Sequence, residues 1–357
     1  MRTFLRRFGT GLLFLAVALC FAPALVPPFL DRIYYRGPAS DHFDGKHFFN
    51  PEDRASPPRP VTPGRFFNRW ATGEGRAKWP DHVAVRPTVP PARVAGQAMR
   101  VTWIGHSTVL VQSQGLNILT DPIWSDRASP FSFVGPKRVR APGVRFEDLP
   151  KIDLVLVSHN HYDHMDLATL KRLWERDRPL VVTSLGNDTV LRGGGIPAAA
   201  LDWGATRPLG PGIAVTVERV HHWGSRWGTD RNRALWSGFT VRLPGGNFFF
   251  AGDTGFGGGA WASEAAKDGP YRLAILPIGA YSPRDVMSGN HMDPDEAVEV
   301  FRRLGARSAL GVHWGTFQLT FESIGDPPRR LRAALARSGI PANRFVATEV
   351  GKGFEVP

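Results

Sequence analysis

The sequence of 357 residues contains a single cysteine, Cys20, which excludes an intrachain disulfide and a zinc site built from thiolates. A metal ion in this protein would have to be bound by histidine, aspartate or glutamate. Internal repeats and low-complexity tracts are also missing. Hydrophobic residues make up 42% of the chain and charged residues 21%, a composition typical of a globular protein.

Acidic residues are few relative to basic ones, with 32 Asp and Glu against 44 Lys and Arg, which gives a net charge of +12. Such a charge suits an anionic partner, namely phospholipid head groups, nucleic acid or a phosphorylated small substrate. It is equally compatible with a basic surface that only faces water. Charge alone therefore leaves the partner open.

The N-terminal segment, residues 1–36, is predicted to be a signal peptide or a membrane anchor. Basic residues in the first seven positions precede an apolar run from Phe8 to Leu30. Small residues around the proline at 22–24 favour a cleaved signal, whereas a run of roughly 20 apolar residues favours an anchor. A buried helix of a soluble protein is the remaining alternative. Because the arginines precede the run, we expect a membrane-associated protein, at the inner membrane and facing the periplasm, or an exported one.

The rest of the chain divides into an irregular arm and a regular domain. Residues 37–98 are rich in proline and aromatic residues, so little regular structure is expected there. The aromatics are too numerous for a free linker, and we expect the arm to pack on the domain or to touch lipid. Over residues 99–357, short β-type runs alternate with helical spacing, which predicts an α/β domain. Asp293, Pro294 and Glu296 have the pattern of a capping box and predict the start of a helix.

Potential metal ligands are concentrated in the six residues 159–164, just after the apolar run at 154–157. They are His159, His161, Asp163 and His164. A rigid strand followed by a turn can direct several side chains at one point. Imidazole nitrogens and carboxylate oxygens suit zinc. A charged turn that merely precedes a helix is the alternative interpretation of this segment.

The same arrangement recurs at three later points in the chain. His221 and His222 follow one apolar run, Asp253 follows a second and His313 follows a third. Each residue alone is more often a hydrogen-bonded structural residue. Strand ends of one sheet lie along one edge, however, so these side chains can converge there. Together the four sites predict a common metal centre.

Eight sequence blocks spread over residues 99–320 carry a resemblance to a known family. They are residues 102–108, 119–122, 135–138, 158–164, 222–223, 249–255, 291–297 and 313–317. On these blocks the sequence resembles the metallo-β-lactamase superfamily. Within it, the sequence resembles the branch of N-acylphosphatidylethanolamine-hydrolysing phospholipases D. The His-rich block identifies only the superfamily, and the other blocks point to the branch.

The resemblance implies an αβ/βα sandwich of two mixed sheets flanked by helices, with two zinc ions at one edge. The implied ligands are His159, His161 and His222 for the first ion, Asp163, His164 and His313 for the second, and Asp253 as a bridge. His222 is preferred over His221 because it precedes Trp223, as in the family's His-Trp pair.

A reaction is implied as well: phosphodiester hydrolysis in N-acylphosphatidylethanolamine, which releases N-acylethanolamine and phosphatidic acid. Two zinc ions would lower the pKa of a bridging water, so that hydroxide attacks phosphorus in line. Asp253 and His291 are the predicted catalytic residues, and His291 and Arg284 the predicted substrate contacts. Packing at a helix entry is the alternative for His291, and a surface charge is the alternative for Arg284. His106 and Asp121 are expected to orient ligand imidazoles.

Two rival functions remain open. A nuclease or lactonase on the same scaffold would use the same metals. No nucleic-acid module is visible in residues 99–320, however, so a phospholipid and a membrane surface are the expected partners, without nucleic acid. A membrane-tethered metal-binding protein without catalysis is the third possibility, and the seven filled ligand positions argue against it. The sequence predicts no oligomeric state.

Overall fold

The computed structural model describes residues 7–18, 32–55, 68–69 and 71–357. Residues 7–18 are helical. Within the described residues, no helix combines the length and the apolar character that crossing a bilayer requires. Cys20, the predicted cleavage site at 22–24 and the proline-rich stretch at 56–67 lie outside the described residues. The signal or anchor and its location therefore stay predictions.

Fourteen strands in the described part of the chain form two mixed sheets of seven strands each. The first sheet has the order β14 (Gly353–Glu355), β1 (Met99–Gly105), β2 (Thr108–Ser113), β3 (Leu116–Thr120), β4 (Leu154–Val157), β5 (Leu180–Ser184) and β6 (Ala199–Leu201). The second has the order β13 (Phe345–Val346), β12 (Ser308–Val312), β11 (Tyr271–Pro277), β10 (Asn247–Phe250), β9 (Gly238–Arg242), β8 (Ile213–Glu218) and β7 (Thr206–Gly210). Each sheet is antiparallel over four neighbouring strands and parallel over the other four, with one strand shared.

Helices accompany the sheets: α1 (Pro51–Ala55), α2 (Leu167–Asp177), α3 (Asn187–Gly193), α4 (Ala260–Ala265), α5 (Arg284–Met287), α6 (Pro294–Arg303) and α7 (Asp326–Arg337). Short 3-10 turns lie at Phe146–Asp148, Gly257–Gly259 and Ala266–Asp268. The predicted capping box is confirmed at α6, where Asp293 accepts hydrogen bonds from the first turn and Glu296 accepts one from Asp293. The two mixed sheets with their helices confirm the fold class predicted from the sequence.

Strand β4 shows how the sequence separates the two apolar layers. All four of its residues are buried. Leu154 and Leu156 point into the core between the sheets, whereas Val155 and Val157 point to the layer under α2. Because successive strand residues face opposite sides, a continuous apolar run predicts a strand that is covered on both faces. The ligand-bearing segment at 158–164 thus follows a strand that is buried on both faces.

The described part of the arm packs against the domain. Phe43 and Phe48 are buried in the core between the sheets, with their ring centroids 4.5 Å apart. Tyr35 contacts both rings, at 5.1 and 5.4 Å. Residues 32–55 therefore share the core of the strands that begin at residue 99.

A buried carboxyl group in the second sheet lies at the end of a hydrogen-bonded chain. Glu218 Oε1 lies 2.5 Å from Thr240 Oγ1. Tyr271 Oη lies 2.8 Å from Thr240 Oγ1 and donates to the Ala265 carbonyl at 2.5 Å. The Ala265 carbonyl can only accept, so the Tyr271 hydroxyl uses its proton there. Thr240 then donates to Tyr271, and the proton between Thr240 and Glu218 must come from Glu218. Accordingly, burial raises the pKa of Glu218 to about 7.

The raised pKa of Glu218 predicts a fold that loses stability as the pH rises from 5 to 8. In the unfolded chain Glu218 ionises near its ordinary pKa, so in this range the folded state binds one more proton, and stability falls with rising pH. Glu218→Gln keeps a donor and removes the titration. Between pH 5 and pH 8, we expect the free energy of unfolding to fall by about 2 kcal/mol less in the variant than in the parent. Denaturant titrations at pH 5 and pH 8 measure the difference.

Glu175→Gln, on the exposed face of α2, is the matched control. Equal pH dependence of stability in both variants would contradict a protonated Glu218 in this hydrogen-bonded chain.

Candidate metal centre

The predicted ligands lie in loops that leave the carboxyl ends of strands at one edge of the sandwich. Residues 159–164 follow β4, and His222, Asp253 and His313 follow β8, β10 and β12. Strands β8 and β10 run in the same direction because each is antiparallel to β9. The core holds these strands in place, and the strands in turn hold the loops that carry the ligands.

The structure brings the predicted ligand side chains into adjoining groups. Ligand atoms within 4.8 Å of one another form one group of His159, His161 and His222, and a second of His106, Asp163, His164 and His313. Asp253 lies between the groups. Its Oδ2 is 3.1 Å from Nε2 of both His164 and His313, and 3.9 Å from Nε2 of His222. His106 joins the second group in addition to the residues that the resemblance implies, and the assignment of ligands to individual ions stays a prediction.

Three buried atoms in this centre show that the residues fit bound cations. Within the described chain, Nε2 of His161, Nε2 of His222 and Oδ1 of Asp253 have no hydrogen-bond partner. Leaving such an atom unpaired costs about 1–3 kcal/mol, so their convergence at one point indicates ligands. Five imidazoles and two carboxylates form a donor set that suits zinc and related transition metals better than magnesium or calcium. The centre is a binuclear His/Asp metal site.

Asp121 orients two of the ligands from outside the centre. Its Oδ1 accepts the backbone N–H of Ser158 at 2.7 Å, and its Oδ2 accepts the Ser158 hydroxyl at 2.6 Å. The same Oδ2 lies 2.7 Å from Nδ1 of His164, which directs Nε2 of that ring to the centre. Ser158 Oγ in turn lies 2.9 Å from Nδ1 of His159. These are the contacts expected of Asp121 from the sequence.

Other ligands are oriented by groups that the sequence did not predict. Nδ1 of His222 lies 2.9 Å from the Asn290 carbonyl, and the Asn50 amide donates to the His222 carbonyl at 3.0 Å. A backbone carbonyl leaves no signal in the sequence, and Asn50 belongs to the irregular arm. His106 hydrogen-bonds to a carboxylate ligand instead of an imidazole, with Nε2 2.8 Å from Asp163 Oδ2.

The backbone is strained where the ligands are held. His106, Asp121 and His313 have φ values of +53°, +31° and +61°. This region costs a non-glycine residue roughly 1–2 kcal/mol, and such residues cluster at functional sites. Two of these positions are hydrogen-bonded to each other, since the backbone N–H of His313 donates to the His106 carbonyl at 3.0 Å.

Electrostatics sets the protonation state of the ligands. Burial holds the pKa of His159 and His222 well below its ordinary value, so both rings are neutral near pH 7, the form that binds metal. Burial alone would raise the pKa of Asp253, but the adjacent His164 and His313 hold it well below its ordinary value. The carboxylate is therefore ionised and able to bind a cation.

A family model described as a beta-lactamase superfamily domain matches residues 116–314. This span is more than half of the chain and includes every ligand position predicted from the sequence. The chain belongs to the metallo-β-lactamase superfamily. With its binuclear site, it is a metal-dependent hydrolase of this superfamily.

Relatives within the superfamily confirm the predicted resemblance to the phospholipase branch. N-acyl-phosphatidylethanolamine-hydrolyzing phospholipase D 1 of Caenorhabditis elegans is 40% identical over 266 residues, which cover 71% of this chain and 75% of the relative. The mitochondrial enzyme of that name from Saccharomyces cerevisiae is 34% identical over 257 residues, 70% of this chain and 54% of the relative. An uncharacterized protein of Mycobacterium tuberculosis is 38% identical over 266 residues, 71% of this chain and 70% of the relative.

Solved structures agree on the fold. Igni18, a metallo hydrolase from Ignicoccus hospitalis, has a TM-score of 0.54 at 20% identity, covering 72% of this chain and 98% of its own. An isothiocyanate hydrolase from Delia radicum gut bacteria has a TM-score of 0.57 at 18% identity, with the same coverage. At such identities the likeness establishes the fold alone, and the predicted sandwich is confirmed.

The two predicted substrate contacts have different surroundings in this metallo-β-lactamase domain. His291 lies at the centre, with Nδ1 3.9 Å from Asp253 Oδ2, and burial lowers its pKa to about 4. Arg284 is engaged elsewhere, because its guanidinium donates to both carboxylate oxygens of Glu296 at 2.8 Å and to the His291 carbonyl at 2.8 Å. Arg284 thus holds the backbone of His291, and its contact with substrate stays a prediction.

A different arginine faces the metal centre. The guanidinium of Arg231 stacks on Trp223 at 4.1 Å, and Trp223 packs on His161 at 4.3 Å. Arg231 and His222 line the same depression, which has a volume of about 660 Å³. Within the described residues, no carboxylate lies within ion-pair distance of Arg231. No pattern in the sequence marks Arg231, because only the fold places it above Trp223.

Proposed function

We propose that the protein hydrolyses N-acylphosphatidylethanolamine as a phospholipase D, releasing N-acylethanolamine and phosphatidic acid at a membrane surface. The observation that carries this proposal is the 40% identity to a phospholipase of that specificity over three quarters of its length. The centre supports the proposal, since it can hold two cations beside a free cationic side chain.

We assign two zinc ions to the centre. His159, His161 and His222 would hold one, Asp163, His164 and His313 the other, with Asp253 between them. A zinc pair supplies a nucleophile by lowering the pKa of water and neutralises charge that develops on the phosphate.

The chain's own groups would position the substrate and the proton. The oxygen of water forms a bond to phosphorus, and the bond from phosphorus to the ethanolamine oxygen breaks. The departing oxygen takes up the proton that the attacking water loses. His291 Nδ1 is buried and has no hydrogen-bond partner within the described residues, so it is available to a phosphoryl or departing oxygen. Neutral at pH 7, it acts there as a hydrogen-bonding group and holds no spare proton.

Arg231 is the proposed cation for the phosphate. Arg231→Met keeps the aliphatic contact with Trp223 and removes the charge. Loss of a charge-assisted hydrogen bond should raise KM for a phosphodiester roughly ten- to a hundredfold, with unchanged metal content. Steady-state kinetics and metal analysis measure this.

Arg172→Met is the matched control for Arg231→Met. Arg172 also stacks on an aromatic ring, at 3.8 Å from the centroid of Phe146, but it lies on the outer helix α2. We expect KM in this control to equal that of the parent. A normal KM in Arg231→Met, or an equal change in both variants, would exclude Arg231 from phosphate binding.

The function is tested by incubating the zinc-loaded protein with vesicles that contain N-acylphosphatidylethanolamine and identifying the products by mass spectrometry. The expected products are N-acylethanolamine and phosphatidic acid in equal amounts. Hydrolysis of simple phosphodiesters without this activity would remove the substrate assignment. Turnover only of a lactone, RNA or DNA would replace the assignment with one of the rival functions.

A further inference from the structure

Exposed apolar side chains are concentrated on one surface of the domain. Outside the helix at 7–18, the large hydrophobic side chains exposed in the described chain are Ile33, Val89, Phe131, Phe133, Val134 and Trp227. All except Val89 line or adjoin one depression, which has a volume of about 900 Å³. A contiguous exposed apolar surface of this kind indicates an interaction site.

A braced loop carries three of these side chains. The Arg127 guanidinium donates to the Ser132 carbonyl at 3.0 Å and to the Gly135 carbonyl at 2.6 Å, which fixes the loop at 128–135. Phe131 and Phe133 lie side by side, with ring centroids 5.5 Å apart, and Phe133 is 77% exposed. We call residues 131–134 the docking loop. Because the bracing holds the backbone, its apolar side chains project outward as a unit.

The docking loop lies on the same edge of the sandwich as the metal centre. The depression beside it is lined by Phe131 and also by Tyr162 and Asp166, which belong to the segment that follows β4. Tyr162 stands between the ligands His161 and Asp163 in the sequence. A surface that binds to the docking loop therefore faces the edge where substrate must enter.

The N-terminal segment joins the domain at this same surface. The apolar run in the sequence ends at Leu30, and Arg32 stacks on Trp227 with its guanidinium 5.2 Å from the ring centroid. Tyr34 secures the junction, because its hydroxyl donates to Asp230 at 2.8 Å and its carbonyl accepts from Thr189 at 2.9 Å. The described segment that begins at Arg32, two residues after the apolar run of the sequence, thus lies at the surface of the exposed loop.

Basic side chains accompany the apolar ones. Arg32 and Arg127 line the depression, and Lys137 is paired in a β-bridge with Arg127 behind the docking loop. Aromatic side chains beside cations suit the interface of an anionic bilayer, where rings enter the head-group region and cations meet phosphate. A protein partner would not account for an apolar run of 23 residues that directly precedes, in the sequence, the segment at this surface.

We propose that the docking loop, Ile33 and Trp227 form the surface by which this protein binds a bilayer containing anionic phospholipid. Phe131, Phe133 and Val134 enter the head-group region. The proposal rests on the proposed function for its choice of a lipid substrate, but membrane binding at this surface is tested without any substrate.

The test places an environment-sensitive fluorophore on the loop in the full chain. Cys20→Ser removes the single native thiol, and Ser132→Cys introduces a label between the two phenylalanines. Val89→Cys is the matched control, since Val89 is 71% exposed but does not line the depression. Vesicles of phosphatidylcholine with phosphatidylglycerol should shift the emission of the label at 132 to the blue and leave that at 89 unchanged. Vesicles of phosphatidylcholine alone should give a smaller shift, because the cations lack a partner.

An unshifted label at 132 on protein that sediments with the vesicles would overturn the proposal, since attachment would then rest on the N-terminal segment alone. Equal shifts at 132 and 89 would also overturn it, because they indicate non-specific adsorption. Hydrolysis of N-acylphosphatidylethanolamine is scored separately. A shifted label without that hydrolysis would retain the docking surface and reject the proposed function.

A second measurement removes the apolar side chains of the loop. The triple variant Phe131→Ser, Phe133→Ser and Val134→Ser should bind the anionic vesicles at least roughly tenfold more weakly than the parent. Val89→Ser should bind as the parent does. Thermal unfolding and metal content that match the parent verify folding, and unchanged vesicle affinity in the triple variant would overturn the proposal.

Discussion

Asp253→Asn is expected to reduce hydrolysis roughly a thousandfold or more, because this carboxylate lies between the two groups of ligands. Its Oδ2 is within 3.1 Å of His164 and His313, and its Oδ1 is buried without a hydrogen-bond partner in the described chain. Asparagine keeps the size of the side chain and removes the charge that two cations would share. We expect kcat/KM to fall together with the metal content, which should drop below two per chain.

The matched control for this prediction is Asp81→Asn, which makes the same change on an exposed residue of the arm. It should keep full activity and two metals. An Asp253→Asn protein that retains more than about a tenth of the parent's kcat/KM would refute a bridging role. Loss of activity at full metal content would point instead to a role in the reaction that does not involve binding the cations.

Removal of metal is expected to abolish activity and to lower the unfolding temperature by roughly 10 °C or more. Two effects combine. Ions that bind only the folded state contribute their binding free energy to stability. Without them, the inward-facing nitrogens of His161 and His222 and an oxygen of Asp253 lack partners in the interior. Calorimetry before and after treatment with a chelator measures the shift.

Reconstitution provides the control for metal removal. Zinc should restore activity at two ions per chain, whereas magnesium and calcium should not, because five of the ligands are imidazoles. Less than one metal bound per chain, or a chelated protein with undiminished turnover, would contradict the binuclear centre. An unchanged unfolding temperature would show that the centre is held together by the protein scaffold alone.

Much of the centre could be predicted from the sequence because its ligands directly follow buried strands. His159, Asp253 and His313 each stand within three residues of a continuous apolar run, and the runs form strands β4, β10 and β12 of the two packed sheets. Side chains at strand ends are placed by the sheet, so local pattern and final position coincide. The layers of the fold were predictable for the same reason.

Other parts of the site depend on chain segments that carry no periodic pattern. Arg284 pairs with Glu296, which lies in the first turn of α6. Only the conformation of the loop between them brings the two charges together. The orienting carbonyl of Asn290 is chemically identical to every other peptide carbonyl. Arg231 reaches Trp223 through a turn of irregular backbone. Interactions of this kind are determined by tertiary structure, and spacing in the sequence does not encode them.

The left-handed backbone at His106, Asp121 and His313 has a consequence for how these positions are studied. Alanine, the customary reference residue, keeps the strained φ and removes the side chain, so a measured loss of stability reports the side chain and leaves the strain unmeasured. Glycine accepts such a φ without penalty and removes the side chain equally. The difference in stability between the alanine and glycine variants at His313 therefore reports the strain that the fold imposes to aim that imidazole, offset by the larger entropy that glycine loses on folding.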